Sequence, residues 1–491
     1  MIDTEALRKK VIDLAIQGKL TQQLPEDGNA EDLYAQIQEE KAKFIKEGKI
    51  KKEKPLPPIS EDEIPYVIPN SWNWVRIGDV TYSHGQKTPD TRFCYIDVGT
   101  LDNISHKLNE NENIVEAKDA PSRARKIVKY DDVLYSTVRP YLHNICIVDK
   151  KFSYEPIAST AFAVMHTIEN LILSRYLYYW LLSEWFDKYA NGDSSKGTLY
   201  PAIGEKDFFM GLIPLPPLSE QIRIVEKIKE ILAQIDIIDT LQQQYESDRE
   251  ILKGKIIDAG IRGKLTAQLP EDGDAEDLYA QIQEEKAILI KDGKIKKEKP
   301  LPPISEDEIP FEIPISWKWT RLNSLAYIIN GDRGKNYPAK YTLSNVGIPF
   351  ISALNLNGKS IDIDDRLLCL SDEQYSRLGN GKLEKDDVVV CIRGSLGKHG
   401  RFQLKKGAIA SSLVICRPYQ LKDILGSFLM VWLDSSLFPM EIDKYDGGSA
   451  QPNLAAENLK KFIVPLPPLA EQKRIVERIG SLLSCLDNMI C

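Results

Sequence analysis

From Ser219 to Leu241, apolar residues recur at Val225, Ile228, Leu232 and Ile235, spaced by 3, 4 and 3. Val476, Ile479, Leu483 and Leu486 repeat the spacing near the C-terminus, and Ile490 continues it. Leu7, Val11 and Leu14 carry a related rhythm, matched by Leu252, Ile256 and Ala259. Such spacing lines side chains along one stripe of a helix. One copy fits a lone amphipathic helix on a core as well as a paired helix; two copies in one chain favour helix-on-helix packing. Between these helical stretches the rhythm changes. RKIVKYDDVLYSTV (125–138), NVGIPFISALNL (345–356) and AIASSLVICRP (408–418) read as short strands between turns. Helices rich in aromatic residues or leucine are expected at 171–187 and 423–437. The fold class is therefore α+β: two α+β domains separated by long antiparallel paired helices, with pseudo-two-fold organisation.

Repeats set the boundaries. Leu20–Pro65 matches Leu265–Pro310 with differences only at 22, 29, 43, 44 and 47. Trp72 and Trp74 match Trp317 and Trp319 in the same frame. IPLPPLSEQIRIVEKI (213–228) matches VPLPPLAEQKRIVERI (464–479), 251 residues later. The middles share only echoes, such as VKYDDVLYSTVRP (128–140) beside LEKDDVVVCIRGS (383–395). Flanks held alike around unlike middles imply one shared task and two different ones. Five segments follow: 1–74, 75–212, 213–319, 320–463 and 464–491. Cys491 falls opposite Thr240 in one frame and Met1 opposite Glu246 in the other. The two terminal flanks together thus rebuild the central flank, and the chain ends are expected to lie close together. The run KDGKIKKEKPLPPISEDEIP (291–310) reads as an extended linker.

Composition adds exclusions. With 491 residues, 43% hydrophobic and 28% charged, the chain has room for several cores. Its net charge of −8 argues against indiscriminate coating of nucleic acid and leaves local basic patches open. Seven scattered cysteines without a CxxC pair suggest reduced thiols, a cytoplasmic location and no metal site. Asn170–Phe186 is too short and too polar to span a bilayer, so no membrane partner is expected.

The chain carries no phosphate-binding, dinucleotide, methyl-donor, zinc-protease or nucleophile motif, so no catalytic residue is expected. Local positive charge remains. Arg123, Arg125 and Lys126 lie in KDAPSRARKIVK, and Arg393, Lys398 and Arg401 in IRGSLGKHGRFQLKK. Arg139, Lys196, Arg333 and Lys335 complete the basic candidates, and Gln451 and Asn453 sit in a polar Gly/Ser loop. Arg and Lys can neutralise phosphates, and Asn or Gln can read adenine edges. A solvated charged face or a helix cap explains any one of these stretches as well.

The duplicated PLPPLxEQxxIVxxI, the IPxSWxW leading into each middle and the twice-used GKLTxQLPEDG…EDLYAQIQEEKA block resemble the specificity subunit of type I restriction-modification enzymes over essentially the whole chain. The resemblance implies a non-catalytic subunit. Its middles would be target recognition domains, each reading half of a bipartite double-stranded DNA site, and its repeated helices would dock two methyltransferase subunits. Restriction subunits would join through the complex. S-adenosylmethionine, ATP and magnesium would belong to those partners, with no cofactor in this chain. The competing reading is a helical scaffold or adaptor with two peptide- or glycan-binding domains. A single-chain nuclease or methyltransferase is opposed by the missing motifs.

Overall fold

The structure is a computed structural model of the chain. It describes residues 1–52, 54–192, 201–364, 367–445 and 453–489, with the backbone of Ser195 and Lys196. Two compact units emerge, Met1–Gln243 and Gln244–Cys491, and their boundary falls inside one 44-residue helix, Leu218–Ile261.

In the first unit, Asp3 caps the helix Thr4–Ala15 by accepting from the Ala6 N–H. This helix runs antiparallel to the 218–243 stretch. Ile2 bonds Gln242, Arg8 pairs with Asp236 and Asp239, and Thr21 reaches Glu220. In the second unit, residues 244–261 take the place of that first helix, and Leu469–Asn488 takes the place of 218–243. Arg249 and Lys253 pair with Asp487, Gly260 lies against Ile475 and Ile479, and Thr266 reaches Glu471. Val225, Ile228, Ile235 and Ile479 are buried, while Leu232, Val476, Leu483 and Leu486 are half-buried. Ile224 and Ile475, one position before the expected stripe, are fully buried. Each helix is covered by a flank helix and also by helices of the variable region, so its apolar arc is wider than a two-stranded seam.

Both variable regions have the same topology. In the first, the strands run in the order Thr81–Tyr82, Phe162–Thr167, Val133–Ser136, Ile145–Ile147, all antiparallel. In the second, the order is Ala326–Asn330, Leu413–Pro418, Val388–Cys391, His399–Arg401. A second four-stranded sheet accompanies each, with one parallel pair: Phe93–Ile96 beside Pro156–Ser159, and Ile348–Ile351 beside Gly407–Ile409. The central strands read as continuous apolar runs because both faces are buried. Val133, Tyr135, Ala163 and Met165 face the helical core, while Leu134, Phe162 and Val164 face a separate core on the other side. Val388, Val390 and Val414 against Val389, Leu413 and Ile415 repeat the arrangement. The helical core is shared with the flank: Ile12, Leu33, Ile37 and Trp72 join Tyr176 and Leu177 in one cluster.

The single helices expected at 171–187 and 423–437 are each broken in two. Ser174–Leu181 is followed by Glu184–Asn191, and Lys422–Asp434 by Leu437–Asp443. Serine makes the break in both places. Ser183 Oγ donates to Trp180 O and accepts from the Phe186 N–H, and Ser435 Oγ donates to Trp432 O.

Three repeated motifs meet at one buried carboxylate. Glu220, of PLPPLSEQ, is fully buried and accepts from Trp72 Nε1 (2.8 Å), Thr21 Oγ1 (2.9 Å) and Gln23 Nε2 (2.8 Å). Glu471 accepts from Trp317, Thr266 and Gln268, each at 2.8 Å. Beside each carboxylate an arginine grips the PED turn, Arg223 on Asp27 and Arg474 on Asp272. Much of the repeated sequence therefore builds the fold, because these donors come from segments far apart in the chain.

A second repeated pair ties the linker down. Buried Arg76 holds Glu63, and Arg321 holds Glu308. Those arginine hydrogen bonds hold both carboxylates at about 2, below the ordinary 4.5. A lowered folded-state value means stability that is present above about pH 4.5 and lost as pH falls towards 2. Both glutamates keep about a third of their side chains in solvent, so screening limits each contribution to about 1 kcal/mol. The thermal midpoint should fall between pH 5 and 2, and Glu63→Gln with Glu308→Gln should flatten that fall. A pH series of melting curves on both proteins checks it.

Candidate nucleic-acid interface

Backbone pairing gathers the candidate loops at one end of each variable region. In the first unit, Thr160 N–H donates to Arg123 O (2.9 Å), Thr137 N–H to Ala161 O (2.8 Å) and Ile203 N–H to Thr137 O (2.9 Å). Arg139 N–H donates to Pro201 O (2.8 Å), and Ser195–Lys196 pairs with Ala202–Ile203. The segments bearing Arg123, Arg139 and Lys196 are thereby adjacent. Arg139 (φ 52°) and His143 (φ 50°) both hold left-handed backbone, a conformation that side-chain-bearing residues seldom adopt and that marks a shaped loop.

The second unit repeats the plan with other side chains. Ile392 N–H donates to Ser412 O, Leu454 N–H donates to Ile392 O, and Arg393 bridges Asn453. Arg393 Nε also donates to Asn453 Oδ1 at 3.1 Å, so two candidates chosen 60 residues apart touch. Arg333 donates to Ser411 O (3.1 Å) on the neighbouring turn. Asp332 shapes the loop carrying Arg333 and Lys335. Hydrogen bonds from the Gly334 and Gly379 N–H groups hold its carboxyl below the usual range. Gly331 must lack a side chain, because a Cβ there would sit 2.5 Å from Ala410 O.

Arg123, Arg333, Lys335, Arg393 and Lys398 are exposed, and Arg125 and Arg139 are half-buried. Two expected contacts require correction. Lys126 is 2% exposed and paired with Glu205, because it alternates inward on the strand Ala124–Ile127. Arg401 is held by Asp386, Asp423 and Ser427. A cation already neutralised by carboxylates has little left for a phosphate. Gln451 and the side chain of Lys196 lie outside the described residues. Charge alone does not point to the exposed aromatics in these loops: Tyr141, two residues after Arg139, and Tyr337, two after Lys335. A tyrosine directly after Arg139 and Pro140 in RPYL was the available signal.

Each unit thus offers a scaffold built to one plan and a basic loop end built from different residues. That combination defines a duplicated reader of two unlike ligands. Residues 69–247 and 314–489 match the family model of the type I restriction modification DNA specificity domain. The chain belongs to that family. It is 27% identical over 98% of its length to the type I restriction enzyme EcoAI specificity subunit of Escherichia coli, covering 89% of that protein. It is 26% identical, with the same coverages, to the EcoEI specificity subunit of Escherichia coli. Among solved structures, the HsdS subunit from Thermoanaerobacter tengcongensis aligns with a TM-score of 0.54 at 25% identity, over 87% of this chain and 94% of that one. A chain from a structure on complex assembly and conformational transition of the type I R-M system aligns with a TM-score of 0.61 at 25% identity, over 87% and 93%. No helix among the described residues is long and apolar enough to cross a membrane.

Proposed function

We propose that this chain is the non-catalytic specificity subunit of a cytoplasmic type I restriction-modification complex. Each variable region, 75–212 and 320–463, reads one half of a bipartite double-stranded DNA target. The repeated helices recruit two methyltransferase subunits, and restriction subunits join through them. S-adenosylmethionine, ATP and magnesium serve the partners' chemistry.

One observation carries the docking half of this reading. Along Ala30–Lys46 and Ala275–Lys291, the exposed positions Glu31, Asp32, Ala35, Gln36, Glu39 and Ala42 are identical to Glu276, Asp277, Ala280, Gln281, Glu284 and Ala287, and the exposed pair Lys43 and Ile288, near the helix ends, differs. Folding asks little of exposed helix positions, whereas binding the same partner twice asks for sameness there. The loop ends support the other half, since they place exposed basic groups beside aromatic and amide side chains on unlike surfaces.

Neutralising Arg393 and Lys398 together, in the complex with methyltransferase subunits, should weaken duplex binding. It should also flatten the salt dependence by roughly 0.9 in log–log slope for each phosphate left without its cation. Affinity and slope measured across a salt series check this. An unchanged slope would place these groups away from DNA.

A further inference from the structure

Three side chains far apart in sequence converge in the first unit: His84, Asp132 and His166. One potential ligand atom from each lies within 4.8 Å of the other two. His166 Nδ1 is 2.6 Å and His84 Nε2 is 3.2 Å from Asp132 Oδ1. The ring centroids of the two histidines are 4.7 Å apart, and Tyr82 packs edge-on against both. Asp132 has no exposed side-chain surface, while His84 retains 8% and His166 12%, so the cluster sits just beneath the surface.

The second unit shows what this position requires. Asp387 precedes Val388–Cys391 as Asp132 precedes Val133–Ser136, and it too is fully buried. Both carboxylates are fixed by the same turn: the Lys129 N–H reaches Asp132 Oδ2 and the Glu384 N–H reaches Asp387 Oδ2, each at 2.7 Å. The preceding aspartates, Asp131 and Asp386, are both left-handed, at φ 69° and 70°. In the second unit a permanent cation faces the carboxylate, for Arg417 Nε and an Arg417 terminal nitrogen bind both Asp387 oxygens at 2.7 Å. Arg417 pairs across its sheet with Tyr327, and His166 pairs in the same register with Tyr82. The first unit has therefore replaced a fixed guanidinium by two imidazoles aimed at one oxygen. Neither histidine belongs to the basic loops described above.

We propose that His84, Asp132 and His166 form a binding site for a divalent transition metal of the zinc class. The ion occupies the place that the Arg417 guanidinium fills in the second unit. Two imidazole nitrogens and one carboxylate oxygen are the ligand types such ions take, at about 2.0–2.2 Å from the metal, and a water completes the coordination. The Lys129 N–H supplies the outer hydrogen bond that orients the carboxylate. The ion pins the end of the edge strand Thr81–Tyr82 to Phe162–Thr167 and to the turn before Val133. Its role is structural, because the ligands bind strands and turns of the sheet rather than the loop end.

The test uses the full chain, stripped with a chelator and titrated with Co2+ and then Zn2+. Wild type should bind one equivalent in this unit, give the visible absorption of Co2+ in a nitrogen–oxygen site, lose it on adding Zn2+, and melt higher with Zn2+ present. His166→Arg and His84→Ile copy the residues of the second unit, so they keep a precedent for folding. Each should weaken binding by about 100-fold or more, at or beyond the cost of losing even an outer partner. Their melting midpoints should ignore Zn2+. Wild type that gives no Co2+ absorption and no Zn2+-dependent rise overturns the proposal, whatever the variants do. So does metal binding equal in wild type and His166→Arg, which would place the ion away from this cluster.

Discussion

Replacing Glu220 by alanine should cost about 3–5 kcal/mol of stability, because one truncation strands three donors at once. Trp72, Thr21 and Gln23 come from the two N-terminal repeated motifs and, among the described residues, have no second acceptor for these bonds except, for Gln23, the backbone of Gly18 and Thr21. Hydrogen bonds to a charged acceptor contribute about 1.5–3 kcal/mol each, and the buried indole N–H cannot rehydrate without opening the core. For a unit of this size the midpoint should fall by roughly 2–4 °C per kcal/mol. Glu220→Gln should be intermediate, since one amide oxygen replaces two carboxylate oxygens and an NH2 group faces donors. Glu471→Ala should match Glu220→Ala, as the same three donors converge there. Denaturant unfolding of the variants measures both losses. A loss below about 1 kcal/mol would mean that the three motifs are not held through this carboxylate.

Arg417→Ala should be comparably damaging, by about 3–5 kcal/mol, because it leaves Asp387 charged and buried. Asp387 is fully buried and, among the described residues, would retain only the Glu384 N–H. Arg417 also ties Glu384 and the Lys382 carbonyl into the same knot, so the strand Lys382–Leu383 should loosen with it. Replacing both partners, Arg417→Met with Asp387→Leu, should recover most of the loss, since an apolar pair of similar volume needs no desolvated charge. A double-mutant cycle by denaturant unfolding gives the coupling. A double variant whose loss equals the sum of the two single losses would show that the ion pair carries no net coupling.

The duplicated architecture was legible because it is written in strong, local signals. Helical spacing at Ile228 and Ile479, the paired tryptophans and the twice-used PLPPL motif are each readable within a few residues. The echo between KYDDV and EKDDV marks the matching turns before Asp132 and Asp387. Partnership across the chain was not legible. Lys126 and Arg401 sit in basic runs, and only the fold brings Glu205, Asp386 and Asp423 to them. The 3–4 spacing favours Val225 and Val476 over Ile224 and Ile475, because it assumes one packing face where the helix has two. The helix expected at 171–187 runs through Ser183, whose hydroxyl ends one helix and caps the next. Scattered histidines give no warning of His84 and His166, which lie 82 residues apart and meet only through strand register. The repeated block that resembles a docking surface is also the lock that closes on Glu220 and Glu471, and only its exposed positions remain for a partner.

The measurement that bears most directly on a two-part reader is an exchange of residues 320–463 for the corresponding region of a relative with a different target. The hybrid is expressed with its methyltransferase subunits, and methylated adenines are mapped across a genome. The expected result is a new bipartite site in which one half is altered, the other half is unchanged, and methylation persists. A hybrid that folds and assembles yet alters both halves, or neither, would contradict the division of the target between the two variable regions.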